Sequence, residues 1–141
     1  MTSLVAWIGA DNRGPASVYF ASDSRLTWSA EEVWDRGRKL FACRRYPHIL
    51  GYCGDVLFPT QTLGQVAEMI DADLLLRPDD DVDACTGRVL SVLTCALATC
   101  PGKQRQAFQV LYGMRSGTGV ASTFHLRRIE FDAAGSSAVS A

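Results

Sequence analysis

Apolar positions in the first third of the chain predict antiparallel β-structure. Residues 4–8 are apolar at every position, which is typical of a strand covered on both faces. A turn-rich segment follows, and a second strand is predicted over residues 18–21, so the two form a hairpin with a long loop. After a polar segment at 29–38, a further strand pair is predicted over 39–43 and 49–53.

The hydrophobic period changes near residue 60 and predicts two helices. Between residues 60 and 76 the apolar side chains recur at steps of three and four, as on one face of a helix. Pro78 ends this helix, and three acidic residues at 79–81 favour the start of a second one, which carries a broad apolar stripe up to Cys100. Two helices with a short polar link are typical of an antiparallel pair laid on a sheet.

Strands return in the last third of the chain. They are predicted over residues 107–113 and 123–131, with a glycine-rich turn between them. In the second of these strands the apolar phase slips from even to odd positions, which predicts a β-bulge near Arg127 and Arg128. Residues 1–132 therefore form a single domain, and residues 133–141, small and polar, are predicted to be a flexible or truncated tail.

The composition of the chain limits its possible binding partners and its cellular compartment. Of the 141 residues 48% are apolar and 21% are charged, and the net charge of −1 gives no bulk attraction to nucleic acid or to an anionic membrane. The sequence shows no basic-then-apolar leader and no apolar run of membrane-spanning length, so we expect a cytoplasmic protein with neither nucleic acid nor membrane as partner.

The cysteines and histidines do not predict a metal or a cofactor. Five cysteines without a Cys-x-x-Cys pair favour reduced thiols, and the two histidines lie far apart in sequence. Cys85 and Cys95 fall on the apolar face of the second predicted helix, where they behave as small hydrophobic residues.

Thr2 is the candidate nucleophile. If Met1 is removed, the new first residue carries both a hydroxyl and a free amine, and the amine can serve as the general base for the hydroxyl. Two further charged residues lie at strand ends, Asp23 and Lys39. Taken singly, such residues are usually a turn-forming carboxylate and a solvated edge charge.

Together these residues resemble a known family. A threonine opens an apolar strand, a second strand runs into Ala-Ser-Asp-Ser-Arg-Leu-Thr at 21–27, Lys39 follows Asp23 by sixteen residues, and Gly54 ends a short apolar strand. The chain resembles the N-terminal nucleophile hydrolases of the proteasome β-subunit type, including the bacterial proteasome-like threonine peptidases. The resemblance implies an α+β fold, an αββα sandwich of antiparallel sheets, whose second half is incomplete in this chain.

The resemblance also implies a site. Thr2 would be the nucleophile, Lys39 would keep its α-amine neutral, Asp23 would hold Lys39 with the support of Arg25, and the N–H of Gly54 would donate to the oxyanion. The substrate-binding residues implied are Thr27, Leu26 and Tyr52. The activity implied is that of a threonine-type peptidase or amidohydrolase without a cofactor.

The partners implied are a peptide or unfolded protein as substrate, a homo-oligomeric ring, and an ATP-dependent unfoldase. Three alternatives stay open: a catalytically inactive structural or regulatory subunit of the same type, a generic α+β binding module, and an enzyme with Cys43 or Cys53 as nucleophile. The third lacks an evident base, because His48 and His125 lie in a predicted turn and a predicted strand with no supporting pattern.

Overall fold

The computed structural model describes residues 3–27, 32–101 and 106–141. The strands are β1 (Leu4–Asp11), β2 (Gly14–Ser22), β3 (Leu26–Thr27), β4 (Val33–Trp34), β5 (Leu40–Ala42), β6 (His48–Gly54), β7 (Phe108–Ser116), β8 (Thr123–Phe131) and β9 (Ser137–Ser140). The helices are α1 (Leu57–Asp71), α2 (Val82–Thr99) and a short 3-10 turn (Gly119–Ala121).

The centre of the fold is a five-stranded antiparallel sheet in the order β5-β6-β7-β8-β9. The pairing of β7 with β8 runs without a register shift from Phe108–Phe131 to Ser116–Thr123. The bulge predicted near Arg127 and Arg128 is therefore not formed. The segment predicted to be a flexible or truncated tail contains β9, which adds an edge strand to β8.

Helices α1 and α2 cover one face of this sheet. Burial of apolar side chains between the layers is the main stabilising contribution. The sheet contributes Leu50, Tyr52, Val110, Tyr112 and Ile129, and the helices contribute Leu63, Val66, Ile70, Val89, Leu93 and Leu97. The side chain of Asp81 accepts the Ala84 N–H at 2.7 Å and so caps the start of α2.

The β1–β2 hairpin lies against the opposite face of the five-stranded sheet. Two glycines allow this close approach: a Cβ at Gly51 would lie 3.0 Å from Leu4, and one at Gly113 would lie 2.7 Å from Phe20. Leu126 is the cross-strand neighbour of Gly113 and therefore points toward the hairpin.

The slipped apolar phase in β8 now has a physical explanation. Phe124 and Leu126 lie on the hairpin side of the sheet, whereas Ile129 and Phe131 are buried on the helix side. Both faces of this strand are covered, each over a different half of its length, so an uninterrupted strand can carry both phases.

The predicted αββα sandwich is wrong. Strands take up 40% of the described residues, which also contain two α-helices, both on the same face of the five-stranded sheet. The hairpin pairs with no further strand among the described residues, and no helix layer covers its outer face. What forms is a predominantly β structure of three unequal layers: a helix pair, a sheet and a hairpin.

The outer face of the hairpin is apolar and exposed. Val5, Trp7 and Tyr19 are 55%, 46% and 48% exposed, and the two aromatic rings stack with 5.2 Å between their centroids. The prediction that β1 is covered on both faces is therefore wrong. Its loop also differs from the prediction, because only Asn12 and Arg13 separate β1 from β2.

The helices differ in how closely they follow the sequence pattern. Helix α1 begins and ends before its predicted bounds of 60–76, and Leu74 is 74% exposed beyond its C-terminus. Helix α2 matches its apolar stripe. By length and composition alone, α2 is long and apolar enough to cross a membrane, a property shared by core helices of globular proteins. The expectation that no apolar segment reaches membrane-spanning length is therefore wrong.

Candidate active site

Asp23 and Lys39 form an ion pair at one end of the fold. Lys39 Nζ lies 3.0 Å from Asp23 Oδ2, and the Lys39 side chain is fully buried while that of Asp23 is 32% exposed. Lys39 also donates to the backbone carbonyl of Arg25. A buried ammonium requires such partners because burial without them is costly. Two predicted site residues are thus brought together.

The same carboxylate binds the start of the chain. Asp23 Oδ1 accepts the Ser3 N–H at 2.8 Å, and the Asp23 N–H donates to the Ser3 carbonyl at 3.2 Å. The hairpin register explains this contact, since Leu4 pairs with Ser22 and the next pair along the strands is Ser3 and Asp23. Thr2, the predicted nucleophile, and Met1 lie outside the described residues.

The electrostatics of Asp23 reflect these contacts. Burial alone raises the pKa of its carboxyl, but the hydrogen bonds from Ser3 and Lys39 and the charge of Lys39 outweigh this, so the pKa lies below its ordinary value. Asp23 is consequently ionised at neutral pH and can hold a cation.

Arg25 lies beside the Asp23–Lys39 pair. Its guanidinium binds Asp35 at 2.6 Å, and both of these side chains are more than half exposed. Its backbone carbonyl accepts a hydrogen bond from Lys39, its backbone N–H helps to lower the pKa of Asp23, and its charge interacts with that of Asp23. Asp35, which sequence reasoning missed, lies in the polar segment before Lys39, where its acidic character was the available signal.

Gly54 is held in a conformation that favours glycine. Its φ is +98°, and a Cβ at this position would lie 2.6 Å from the Ala107 carbonyl oxygen. It lies two residues beyond Tyr52, whose N–H donates to the Lys39 carbonyl at 3.2 Å. The charge of Lys39 acts on Cys53, next to Gly54, so the lysine and the glycine belong to the same region.

The three predicted substrate-binding residues are placed unequally. Tyr52 is buried in the core with its hydroxyl 2.6 Å from Thr60 Oγ1, and Leu26 is buried against Gly37. Neither offers surface to a ligand in this arrangement. Thr27 is exposed, and it pairs with Val33 in the short β3–β4 ladder.

Asp55 is a further polar residue in this region that sequence reasoning missed. Its Oδ1 accepts the N–H groups of Val56 and Leu57 at the start of α1, at 2.7 and 3.3 Å. Its Oδ2 is buried and has no hydrogen-bond partner among the described residues, which is unusual for a carboxylate oxygen. An acidic residue between a strand and a helix start was the signal available in the sequence.

The structure argues against the cysteine alternative. Burial, and then the charge of Asp71, raise the pKa of Cys43 to about 12, and burial also raises the pKa of Cys53. Because the thiolate is the nucleophilic form, neither thiol is activated. The histidine nitrogens bind elsewhere: His48 Nδ1 lies 2.8 Å from the Tyr112 hydroxyl, and His125 Nε2 lies 3.0 Å from Ser116 Oγ.

Among residues 3–27, 32–101 and 106–141, no group of three or more His, Cys, Asp or Glu side chains is arranged to hold a metal ion. Comparisons with protein-family models, with curated proteins and with solved structures gave no match. The resemblance to N-terminal nucleophile hydrolases therefore depends on the residues quoted above, and the site has to be judged by its own geometry.

Proposed function

We propose that this chain is an N-terminal threonine hydrolase that cleaves peptide or other amide bonds after Met1 is removed. The observation that carries the proposal is that one carboxylate, Asp23, binds both the Ser3 N–H and the Lys39 ammonium. The Ser3 nitrogen is the atom to which Thr2 is bonded. A fixed Ser3 next to a buried cation is what an activated threonine at the chain terminus would require.

In the proposed reaction the Thr2 hydroxyl attacks the substrate carbonyl carbon, and the Thr2 α-amine takes the hydroxyl proton. The tetrahedral intermediate then collapses: the carbon–nitrogen bond breaks, and the α-ammonium returns the proton to the leaving amine. This leaves an ester between Thr2 and the acyl group. Water attacks the ester with the α-amine again as base, which releases the acid and restores Thr2.

Lys39 has an electrostatic role in this proposal. An α-amine has an ordinary pKa of about 8, already close to neutral pH. A neighbouring ammonium disfavours a second positive charge on that amine and favours negative charge on the hydroxyl oxygen. The hydrogen bond from Lys39 to Asp23 keeps the ammonium in place, so Asp23 acts as a positioning residue.

Gly54 is proposed to supply the oxyanion donor. A backbone N–H directed at the developing negative charge stabilises the transition state, and glycine allows the substrate to approach closely. The positive φ and the tight fit against Ala107 support a fixed orientation of this peptide. The exposed Thr27 supports the proposal that an extended peptide substrate lies along β3.

We further propose that the active form is a homo-oligomer, with an ATP-dependent unfoldase as the partner that supplies unfolded substrate. The exposed apolar side chains of Val5, Trp7 and Tyr19 support self-association, since monomers rarely leave such a face in contact with water.

A second function is favoured by one observation. The burial of Leu26 and Tyr52 leaves these positions without surface for a substrate side chain, which is compatible with a non-catalytic structural or regulatory subunit. In that case the Asp23–Lys39 pair would serve only to hold the N-terminal strand against the rest of the fold.

The experiment that separates the two functions is a mass measurement followed by covalent labelling. Protein purified from its native cell is first weighed intact to determine whether Met1 has been removed. It is then treated with a peptidyl epoxyketone, which closes a ring with both the hydroxyl and the amine of an N-terminal threonine. If the chain is a hydrolase, we expect loss of Met1 and one label per chain at Thr2.

The controls are Thr2→Ala, which lacks the hydroxyl, and Thr2→Ser, which keeps it. We expect no labelling of the first and slower labelling of the second. Retained Met1, or equal labelling of wild type and Thr2→Ala, would contradict the hydrolase and favour the non-catalytic subunit.

A further inference from the structure

A cavity bounded by both helices and the sheet lies away from the Asp23–Lys39 pair. Its volume is about 700 Å³, within the range of small-molecule sites. It is bounded by the end of α1, the start of α2 and the His48 end of β6, whereas Gly54 and its neighbours lie at the opposite end of that strand. The cavity is therefore independent of the proposed catalytic site.

The walls of the cavity are largely apolar. Ile70 from α1, Val82 and Cys85 from α2, Met114 from β7 and Leu76 from the helix connection all line it. Ile70, Cys85 and Met114 are buried members of the main core, so this wall is a rigid part of the fold. Such a surface suits a flat hydrocarbon or aromatic group.

The carboxylates at the rim are already engaged within the protein. Asp80 binds Arg88 through both oxygens, at 2.6 and 3.1 Å. Asp73 accepts hydrogen bonds from Arg45 at 2.8 Å and from the Tyr46 hydroxyl. The third rim carboxylate, Asp81, caps the start of α2. The charges of Asp73 and Asp80 are thus compensated by arginines, whereas that of Asp81 faces the start of α2.

Arg77 is the contrasting residue at the rim. It lines the cavity beside Asp80, on which its charge acts, and it forms no ion pair within 4.0 Å in the described ranges; Arg115 at the β7 edge of the cavity forms none there either. Because Arg88 already neutralises Asp80, the guanidinium of Arg77 remains available to an external anion. Arginine binds carboxylates through two parallel hydrogen bonds, which makes this the preferred ligand group.

The two histidines of the chain both line this cavity. They lie in one row across three strands, since His48 and His125 are both cross-strand neighbours of Met114. Each uses one ring nitrogen for a hydrogen bond within the protein, and the other ring nitrogen has no partner in the described part of the chain. They provide further polar contacts beside the apolar wall.

We propose that this cavity is a binding site for a small aromatic carboxylic acid. The carboxylate binds Arg77, the ring packs on Met114 and Val82, and the histidines provide hydrogen bonds at the side. The site has no part in the hydrolysis proposed above, so either proposal can fail without the other.

The test uses 2-naphthoate as probe, with 2-naphthylmethanol and 2-naphthylmethylammonium as its neutral and cationic analogues. Each is titrated into tag-free protein while the imidazole C–H signals are followed by NMR. Because the chain has only two histidines and both line the cavity, these signals report directly on the site. We expect saturable shifts of both signals with naphthoate and weaker binding of the two analogues.

Three variants locate the site. Arg77→Gln should weaken naphthoate binding about tenfold, the effect of one lost charged hydrogen-bonding partner, and leave binding of the neutral analogue within about twofold. Arg36→Gln removes an equal charge from an exposed position before Lys39, and it should change the binding of neither naphthoate nor the neutral analogue. Val82→Trp should fill the cavity and abolish binding, with folding checked by thermal denaturation.

Three outcomes would overturn the proposal. The first is the absence of saturable histidine shifts at millimolar naphthoate. The second is cationic analogue binding as tight as that of naphthoate, which would identify a cation site. The third is an equal loss of affinity in Arg77→Gln and Arg36→Gln, which would indicate non-specific attraction of the anion.

Discussion

Ser3 and Asp23 are joined by two hydrogen bonds of opposite direction. The Asp23 N–H donates to the Ser3 carbonyl, and the Asp23 carboxylate accepts the Ser3 N–H. The backbone contact continues the β1–β2 ladder, whereas the side-chain contact connects the ladder to the buried Lys39. A single carboxylate thereby connects the start of the first strand to the buried ammonium of Lys39.

Replacing Asp23 by Asn tests that connection. The amide keeps the size of the side chain but removes the charge that compensates Lys39. We expect labelling of Thr2 by the epoxyketone to slow by about a hundredfold, the scale of a lost proton-transfer arrangement. The free energy of unfolding should also fall by about 2 kcal/mol, because one partner of a partly buried ion pair is lost.

The double variant Asp23→Asn/Lys39→Met separates structure from chemistry. Removing both charges eliminates the unpaired buried ammonium, so part of the stability should return while labelling stays slow. Chemical denaturation and labelling rates measured on the same samples provide the comparison. Recovery of labelling together with stability would show that the pair serves the fold alone.

A second prediction concerns Gly54. An alanine there must adopt a φ near +98° and place its Cβ 2.6 Å from the Ala107 carbonyl oxygen, so we expect a loss of about 2 kcal/mol in the free energy of unfolding. Gly87 is the matched control, since it is exposed within α2 and a Cβ there meets nothing within 4 Å. Gly87→Ala should stabilise the protein by about 0.5–1 kcal/mol. Equal effects in urea denaturation would contradict the structure at Gly54.

A third prediction concerns His48 and pH. Burial lowers the pKa of its imidazole, partly offset by the charge of Asp71, so the folded state binds a proton less readily than the unfolded state. The free energy of unfolding should therefore decrease as the pH falls below the ordinary value of 6.5, until the folded-state pKa is passed.

Two measurements check this behaviour. The NMR titration of His48 should have its midpoint below pH 6.5, and His48→Gln should reduce the loss of thermal stability between neutral and mildly acidic pH. A midpoint above 6.5 would show that Asp71 outweighs burial at this position.

A fourth prediction concerns self-association through the hairpin. Trp7→Ser removes the larger ring of the exposed stacked pair, so the molar mass measured by light scattering should fall toward that of a monomer. Leu74→Ser is the control, because Leu74 is even more exposed but lies beyond the end of α1. If the protein is already a monomer, or if both variants behave alike, the homo-oligomer proposal fails.

Strong periodic patterns in the sequence were sufficient to predict most of the helices and strands. Helix α2 and strand β8 occur where the apolar positions predicted them, because α2 turns one apolar stripe to the core and both faces of β8 are covered. The layer arrangement was not predictable in this way. A run of apolar residues in β1 signals burial on two faces, yet Val5 and Trp7 lie on a face that no described element covers.

The site was predicted in part for a related reason. Asp23 and Lys39 were singled out because, together with Thr2, their spacing resembles that of the N-terminal nucleophile hydrolases, although each alone has an ordinary structural role. The atoms through which Arg25 contacts the pair could not be predicted, since the position of its guanidinium depends on where Asp35 lies in space. The burial of Tyr52 was likewise not predicted, since the partner of its hydroxyl, Thr60, lies on the helix that packs over the sheet.

The glycines beneath the hairpin have a consequence for how activity can change over evolution. Gly51 and Gly113 let Leu4 and Phe20 sit almost in contact with the backbone of the sheet. A methyl group added at either position would displace the Leu4 or Phe20 side chain that packs on it, and any resulting shift of the hairpin would move the amino end of the chain. If Thr2 is a nucleophile, a displacement of about 1 Å would lower the rate about a hundredfold. Substitution at two positions that never touch a substrate could thus switch the reaction off while every proposed catalytic residue remained in place.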